Sequence, residues 1–224
     1  MRKSIQSLII VPDIHGRNKN VRQVLRRKLT NHIIIFMGDY WDSFDLSYET
    51  QRDTFLEIVS LKKRCPDNVI LLLGNHDVHY LTKDVLYTGF QDHRALAIET
   101  LLRENLSLFQ NAFQYGKYLF THAGLSNPFW NVISEYYEKD NYDNVADYLN
   151  ECSIEKAHTL VIKDGNHPMN NISMIRPYSL MMDMYLDETI QCQVVGHTSG
   201  DSLRLYLGGK LIVCDCETLL EIDL

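Results

Sequence analysis

The sequence predicts an α/β chain: a parallel or mixed sheet covered by helices, passing into a β-rich second half. Three observations carry this. Short apolar, β-branched runs at Leu8–Val11, Ile33–Met37 and Val69–Leu73 read as buried strands. Helical stretches alternate with them, and such alternation builds sheets with helices packed on their faces. From Phe113 onward the runs come in pairs across Gly-containing turns, the pattern of hairpins.

In chain order, Leu8–Val11 is the first strand. Asn18 is placed to cap a helix whose stripe is Val21, Val24, Leu25, Lys28 and Leu29. Ile33–Met37 follows as a strand. A helix from Ser47 to about Lys63 carries Phe55, Ile58 and Val59 on one side, and Val69–Leu73 is the third strand. Ala95, Ile98, Leu102, Leu106 and Phe109 predict a helix from about Asp92 to Phe109. Phe113–Tyr115 and Tyr118–Thr121 flank Gly116-Lys117 as a hairpin. From Pro128 to about Lys163 the pattern is helical but rich in Tyr, Asn and Asp. It reads as a cap or excursion rather than core. Gln193–Val195 is a further strand. Leu203–Leu207 and Leu211–Cys214 make a hairpin across Gly208-Gly209, and Leu219–Ile222 adds a last strand. The chain is expected to be one domain, 1–224, with 128–175 as an excursion within it.

Composition narrows the function. The 224 residues are 45% hydrophobic, enough for a sizeable core and against disorder. Five cysteines, an odd number in a long chain, argue against a disulfide framework and for a reducing, cytoplasmic setting. No apolar run approaches the ~20 residues of a membrane span, and Leu8–Val11 is too short for a signal-peptide core. A net charge of −7 argues against stable nucleic-acid binding, and taken alone against any anionic ligand.

The strand ends carry the chemistry. The runs stop at Pro12-Asp13-Ile14-His15-Gly16, Gly38-Asp39-Tyr40-Trp41-Asp42, Gly74-Asn75-His76-Asp77, Thr121-His122-Ala123-Gly124 and Gly196-His197-Thr198. Ligand sites of α/β sheets gather beyond the carboxyl ends of strands. Residues two apart on extended chain point to one side, so Asp13 and His15 can reach one centre. Carboxylate, amide oxygen and imidazole suit Mn(II), Fe, Zn or Ni, and no Cys in the clusters makes the site thiolate-like. So many candidate ligands exceed one tetrahedral ion and suit two ions sharing a carboxylate, which can clamp a phosphoryl group.

These five motifs, in this order and each after a strand, resemble the series of the calcineurin-like metallophosphoesterases. The similarity runs from residue 8 to about 216 and is nearest the phosphoprotein phosphatase branch with its bacterial and phage relatives. It implies two mixed sheets packed as a sandwich flanked by helices, with a two-metal site at one edge. It implies Asp13, His15 and His197 on one ion, Asn75 and His122 on the other, and Asp39 bridging both. His76 then matches the histidine that protonates the leaving oxygen, and Asp42 the carboxylate that orients it. The branch reads Gly-Asp-x-Val-Asp-Arg-Gly, and its Arg grips phosphate. Here Ser43-Phe44 follows Asp42, so that Arg is missing, and Asp77 stands where the branch has Glu. Arg176, ahead of Pro177, lies where relatives supply a second phosphate-binding Arg. Arg17 is a weaker candidate for the same task.

The implied function is hydrolysis of a phosphomonoester in a phosphorylated protein or small molecule, with two divalent ions, Mn foremost. Two such ions would bring −7 to about −3, which reconciles an acidic chain with a phosphate substrate. Hydrolysis of a dinucleoside polyphosphate or other diester competes, because Tyr40, Trp41 and Phe44 beside the second motif can stack a base. A non-catalytic binding module on the same fold is the other competitor. A lone Asp or His at a strand end is ordinarily a turn residue; the ordered series argues otherwise. His32, His79, His93, His158 and His167 read as surface or capping histidines, with His79 and His93, which follow the third motif, able to approach the site. Cys214 and Cys216 read as two cysteines on one face of a strand.

Overall fold

The structure, a computed structural model, describes residues 5–27, 29–83, 85–160 and 171–224. It divides into two compact units, residues 1–110 with 216–224 and residues 111–215.

The first unit is built on β1 (Ser7–Val11), β2 (His32–Phe36) and β3 (Val69–Leu72), whose side chains are almost wholly buried. Runs buried on both faces are what parallel strands require, and β1–β2–β3 pair in parallel. Between them come α1 (Lys19–Leu25) and α2 (Tyr48–Arg64), and after β3 come α3 (Asn75–Thr82), α4 (Ala95–Glu104) and β4 (Phe109–Gln110). Ser47 caps α2 through its hydroxyl, which accepts from Thr50 N. Asn18 takes the cap position of α1 without a side-chain bond. Its helix stops at Leu25, so Leu29 falls in a separate 3₁₀ turn, and Lys28 lies outside the described residues.

The helix predicted over 92–109 is shorter than its stripe. Only Ala95–Glu104 is α-helical; Leu106 lies in a 3₁₀ turn and Phe109 enters β4 beside β3. Phe109 packs inward from that strand: its ring lies 6.0 Å from Phe55 and 5.3 Å from Tyr40. The helix at Asn75 lies outside the sequence pattern, although Asp77 at its third position is a capping signal.

The second unit holds β5 (Ala112–Tyr115), β6 (Tyr118–Thr121), α5 (Asn127–Ile133), α6 (Val145–Glu151), α7 (Pro177–Met182), β7 (Cys192–Val195), β8 (Arg204–Tyr206) and β9 (Leu211–Val213). Its sheet runs β5-β6-β7-β9-β8, with both hairpins at its edges and parallel pairing between. The last strand, β10 (Leu220–Asp223), instead pairs antiparallel with β1 in the first unit. Two mixed sheets with helices are thus present, as the sequence predicts.

The stretch read as an excursion supplies much of the second unit's core. Phe129, Trp130, Ile133, Val145, Ala146, Leu149 and Ala157 cluster with Ala112 and Leu119. Tyrosine hides this in the sequence: Tyr148 is buried with its hydroxyl donated to Ile133 O. Residues 161–170, with His167, lie outside the described residues. Cys214 and Cys216 follow β9 rather than lie within it, one buried and one half-buried. No helix among the described residues is long and apolar enough to cross a membrane.

His158 is buried rather than superficial. It donates from Nε2 to Asn111 Oδ1 at 3.0 Å, because the Asn111 amide nitrogen is already committed to Leu149 O and Cys152 O. Burial, with His122 adding to it, pushes its pKa down to about 3. The unfolded chain, with an ordinary imidazole, takes up a proton that the folded chain refuses. Stability is therefore intact above about pH 6.5 and is lost on acidification, by up to ~1.4 kcal/mol per pH unit. Urea unfolding will show the midpoint falling between pH 6.5 and 4.5, and His158→Gln, which keeps an N–H donor, will show a smaller fall. An equal fall in both proteins refutes the assignment.

Candidate metal centre

In the first unit the loops after β1, β2 and β3 lock together. Ile14, His15 and Gly16 donate backbone N–H groups to Gly38 O, Asp39 O and Tyr40 O at 3.3, 2.6 and 3.0 Å. The buried Asp77 carboxylate accepts from three backbone groups: Asp39 N, Tyr40 N and Gly74 N, at 2.8, 2.8 and 2.9 Å. It ties the second loop to the third. Gly74 has no alternative, since a Cβ there would sit 2.1 Å from Asp39 Oδ1.

This frame brings Asp13, His15 and Asp39 together, each offering a ligand atom within 4.8 Å of the others. His15 donates Nδ1–H to Trp41 O at 2.7 Å, which fixes its tautomer and leaves the Nε2 lone pair 3.7 Å from Asp39 Oδ2. Oxygens and an imidazole so oriented fit a divalent cation of intermediate hardness. Asn75, the first residue of α3 and the neighbour of His76, is buried. His76 N donates to Asp39 Oδ1 at 2.9 Å.

Asp42 and His76 pair as the motif predicts, Nδ1 to Oδ2 at 2.9 Å. Burial opposes the charged form of Asp42, but contacts from His76, His79 and Tyr80 outweigh it and hold its pKa below the usual carboxylate range. Burial likewise opposes the imidazolium of His76, while the Asp42 bond and the charges of Asp39, Asp42 and Asp77 raise its pKa overall.

In the second unit, His122 follows β6 and His197 follows β7. Gly196 N donates to His122 O at 2.8 Å, and the two rings meet edge-on with centroids 5.2 Å apart. Arg176 is exposed and extended at the cap of α7, as Pro177 dictates, with Nη1 3.3 Å from Thr198 Oγ1 and 3.4 Å from His197 O. Arg17 is exposed too, 3.8 Å from Asp45 in the first unit.

Backbone strain marks these residues. Among the described residues, six non-glycines have positive φ, and His15, Asp39, Asp42 and His197 are four of them. Each such residue costs of order 1–3 kcal/mol and persists where surrounding structure over-determines it.

Two expectations need correction. Tyr40 and Trp41 are fully buried, their rings 5.9 and 5.1 Å from Phe55, so they anchor the second loop to α2 and stack no base. Phe44 alone of that trio is exposed, at 78%. His79 is fully buried within reach of Asp42 rather than superficial. The signal was its spacing from His76: once α3 is recognised, residues three apart share a face.

The calcineurin-like phosphoesterase family profile matches residues 7–200. The chain belongs to the calcineurin-like phosphoesterase family. It is 35% identical over 82 residues to serine/threonine-protein phosphatase 7 of Arabidopsis thaliana, covering 35% of this chain and 19% of that protein. It is 37% identical over 73 residues to the serine/threonine-protein phosphatase 6 catalytic subunit of Drosophila melanogaster, covering 32% and 23%. The matched region thus spans less than a quarter of either relative. Among solved structures, a cold-active protein-tyrosine phosphatase of a psychrophilic Shewanella superposes with TM-score 0.67 at 17% identity, covering 98% of this chain and 76% of that one. A protein serine/threonine phosphatase from Saccharomyces cerevisiae gives 0.62 at 17%, covering 93% and 66%. Likeness at such identities establishes the fold.

Proposed function

We propose that the chain is a two-metal phosphoesterase acting on phosphomonoesters, in the manner of a serine/threonine protein phosphatase. The observation that carries this is the convergence of Asp13, His15 and Asp39 beside the Asp42–His76 pair, held by loops and the start of α3 that bond to one another. The motif series adds His197 to the ion of Asp13 and His15, and Asn75 and His122 to a second ion, with Asp39 shared. When bound, such ions, Mn(II) foremost with Fe, Zn or Ni as substitutes, lower the pKa of water and offset charge on phosphoryl oxygens. His76 gives its Nε2 proton to the departing oxygen. Asp42 holds the His76 ring and favours its charged form. Arg176 and Arg17 grip the phosphate in place of the Arg missing after Asp42. We place the protein in the cytoplasm, on its odd cysteine count.

A second reading, hydrolysis of a dinucleoside polyphosphate, rests on the exposed ring of Phe44. Incubation with p-nitrophenyl phosphate and Mn(II), with metal content by mass spectrometry, tests the proposal. Hydrolysis with two ions per chain is expected; no turnover at any pH leaves the non-catalytic module. Phosphopeptide against diadenosine tetraphosphate then separates the two substrate classes.

A further inference from the structure

We propose that His79 and Tyr80 are positioning residues for His76, acting through Asp42. The inference rests on the phosphoesterase reading above and goes beyond it, because the motif series gives His76 one partner and the structure gives that partner several.

Asp42 is 1% exposed, and both its oxygens are engaged. Oδ2 meets His76 Nδ1 at 2.9 Å and lies 2.8 Å from His79 Nε2, a close approach not aligned for a full hydrogen bond. Oδ1 accepts from the Tyr80 hydroxyl at 2.5 Å and from Gln91 Nε2 at 3.3 Å. The direction of each proton is settled locally. Tyr80 Oη accepts from Gln91 N at 2.9 Å, so its own proton serves Asp42. His79 Nδ1 accepts from Tyr87 N at 3.1 Å, so its proton lies on Nε2. The chain thus buries an imidazole and a phenol where apolar groups would fill the space, a choice that costs free energy unless the polar atoms are used.

Asp42, His76 and His79 also lie close enough together to suggest a cation site. The Tyr87 bond excludes it. With Nδ1 already an acceptor, ligation through Nε2 would require His79 to become an imidazolate. The group therefore orients a proton donor instead. Held from the His79 and Tyr80 side, the carboxylate cannot turn away, and the His76 ring stays fixed with Nε2 available to the leaving oxygen. Gln91 extends the brace: its amide nitrogen also donates to Gln51 Oε1, which accepts from Ser43 N next to Asp42.

A positioning role has a signature that a merely structural one lacks. Phenyl phosphate needs its leaving oxygen protonated; 2,4-dinitrophenyl phosphate does not. His79→Leu and Tyr80→Phe will each lower kcat on phenyl phosphate about tenfold, a part of the general-acid effect, and leave the dinitrophenyl ester within about twofold. KM and bound Mn(II) will be unchanged, and His79→Gln, which restores a donor near Nε2, will recover most of the loss. Should His79→Leu fail to fold, Tyr80→Phe, which removes one oxygen, decides alone. Equal losses on both esters, lost metal, or unchanged phenyl phosphate turnover in folded variants overturns the inference. If His76→Asn shows leaving-group dependence and these variants do not, only the positioning role falls. If the wild-type chain hydrolyses neither ester, the phosphoesterase reading fails and carries this inference with it.

Discussion

Asp39→Ala will remove bound metal and hydrolysis together, by more than about 100-fold, since even residues behind metal ligands act on that scale. The reason is that one side chain serves several loops. Asp39 Oδ1 accepts the His76 amide at 2.9 Å, and Oδ2 faces the His15 lone pair at 3.7 Å. In the proposed site the same carboxylate belongs to both ions. Its backbone is left-handed, φ 52°, a region Asn tolerates and Ala does not. Asp39→Asn is therefore the sharper companion: it keeps an acceptor for His76 N and the backbone conformation but removes the charge. Both variants should lose metal by mass spectrometry. Asp39→Asn that keeps two ions and full turnover would end the bridging assignment.

His76→Asn will lower turnover by about 10²–10⁴-fold while both ions stay bound, the usual range for a general acid. The imidazole contacts Asp42 through Nδ1 and sits outside the Asp13–His15–Asp39 group, so its removal takes no ligand away. Its backbone N–H to Asp39 survives substitution. Steady-state rates on an alkyl or phenyl phosphate measure the effect, alongside metal content. Full activity with a poor leaving group would reassign the proton donor.

Much of this is legible in the sequence. Leu8–Val11, Ile33–Met37 and Val69–Leu73 announce buried parallel strands because nothing else is so short, apolar and β-branched. The loops after them stand out because Gly, Asp and His replace that apolar pattern abruptly. What escaped has physical causes. Phe109 belongs to a helical stripe by spacing and to β4 by pairing, where its ring stacks on Phe55. Tyr148 and its neighbours look like a wet surface because tyrosine hides a large apolar ring behind one polar atom. Tyr40 and Trp41 follow the proposed ligand Asp39 but are anchors, and only burial distinguishes an anchor from a stacking platform. His79 acquires meaning only through α3, whose eight residues are too few for periodicity to reveal. Asp77 looks like a conservative exchange for Glu, yet its length sets the backbone donors it can reach.

That last clamp has a consequence for the chemistry of loading. The Asp77 carboxylate joins the second and third loops through backbone hydrogen bonds that involve no cation. Where a frame is built this way, little of the affinity for an ion is consumed in folding the protein around it. Chelation should strip the chain without melting it, and different divalent ions should exchange by dialysis. The metal recovered from a purified sample will then report the composition of the growth medium as much as the preference of the donors.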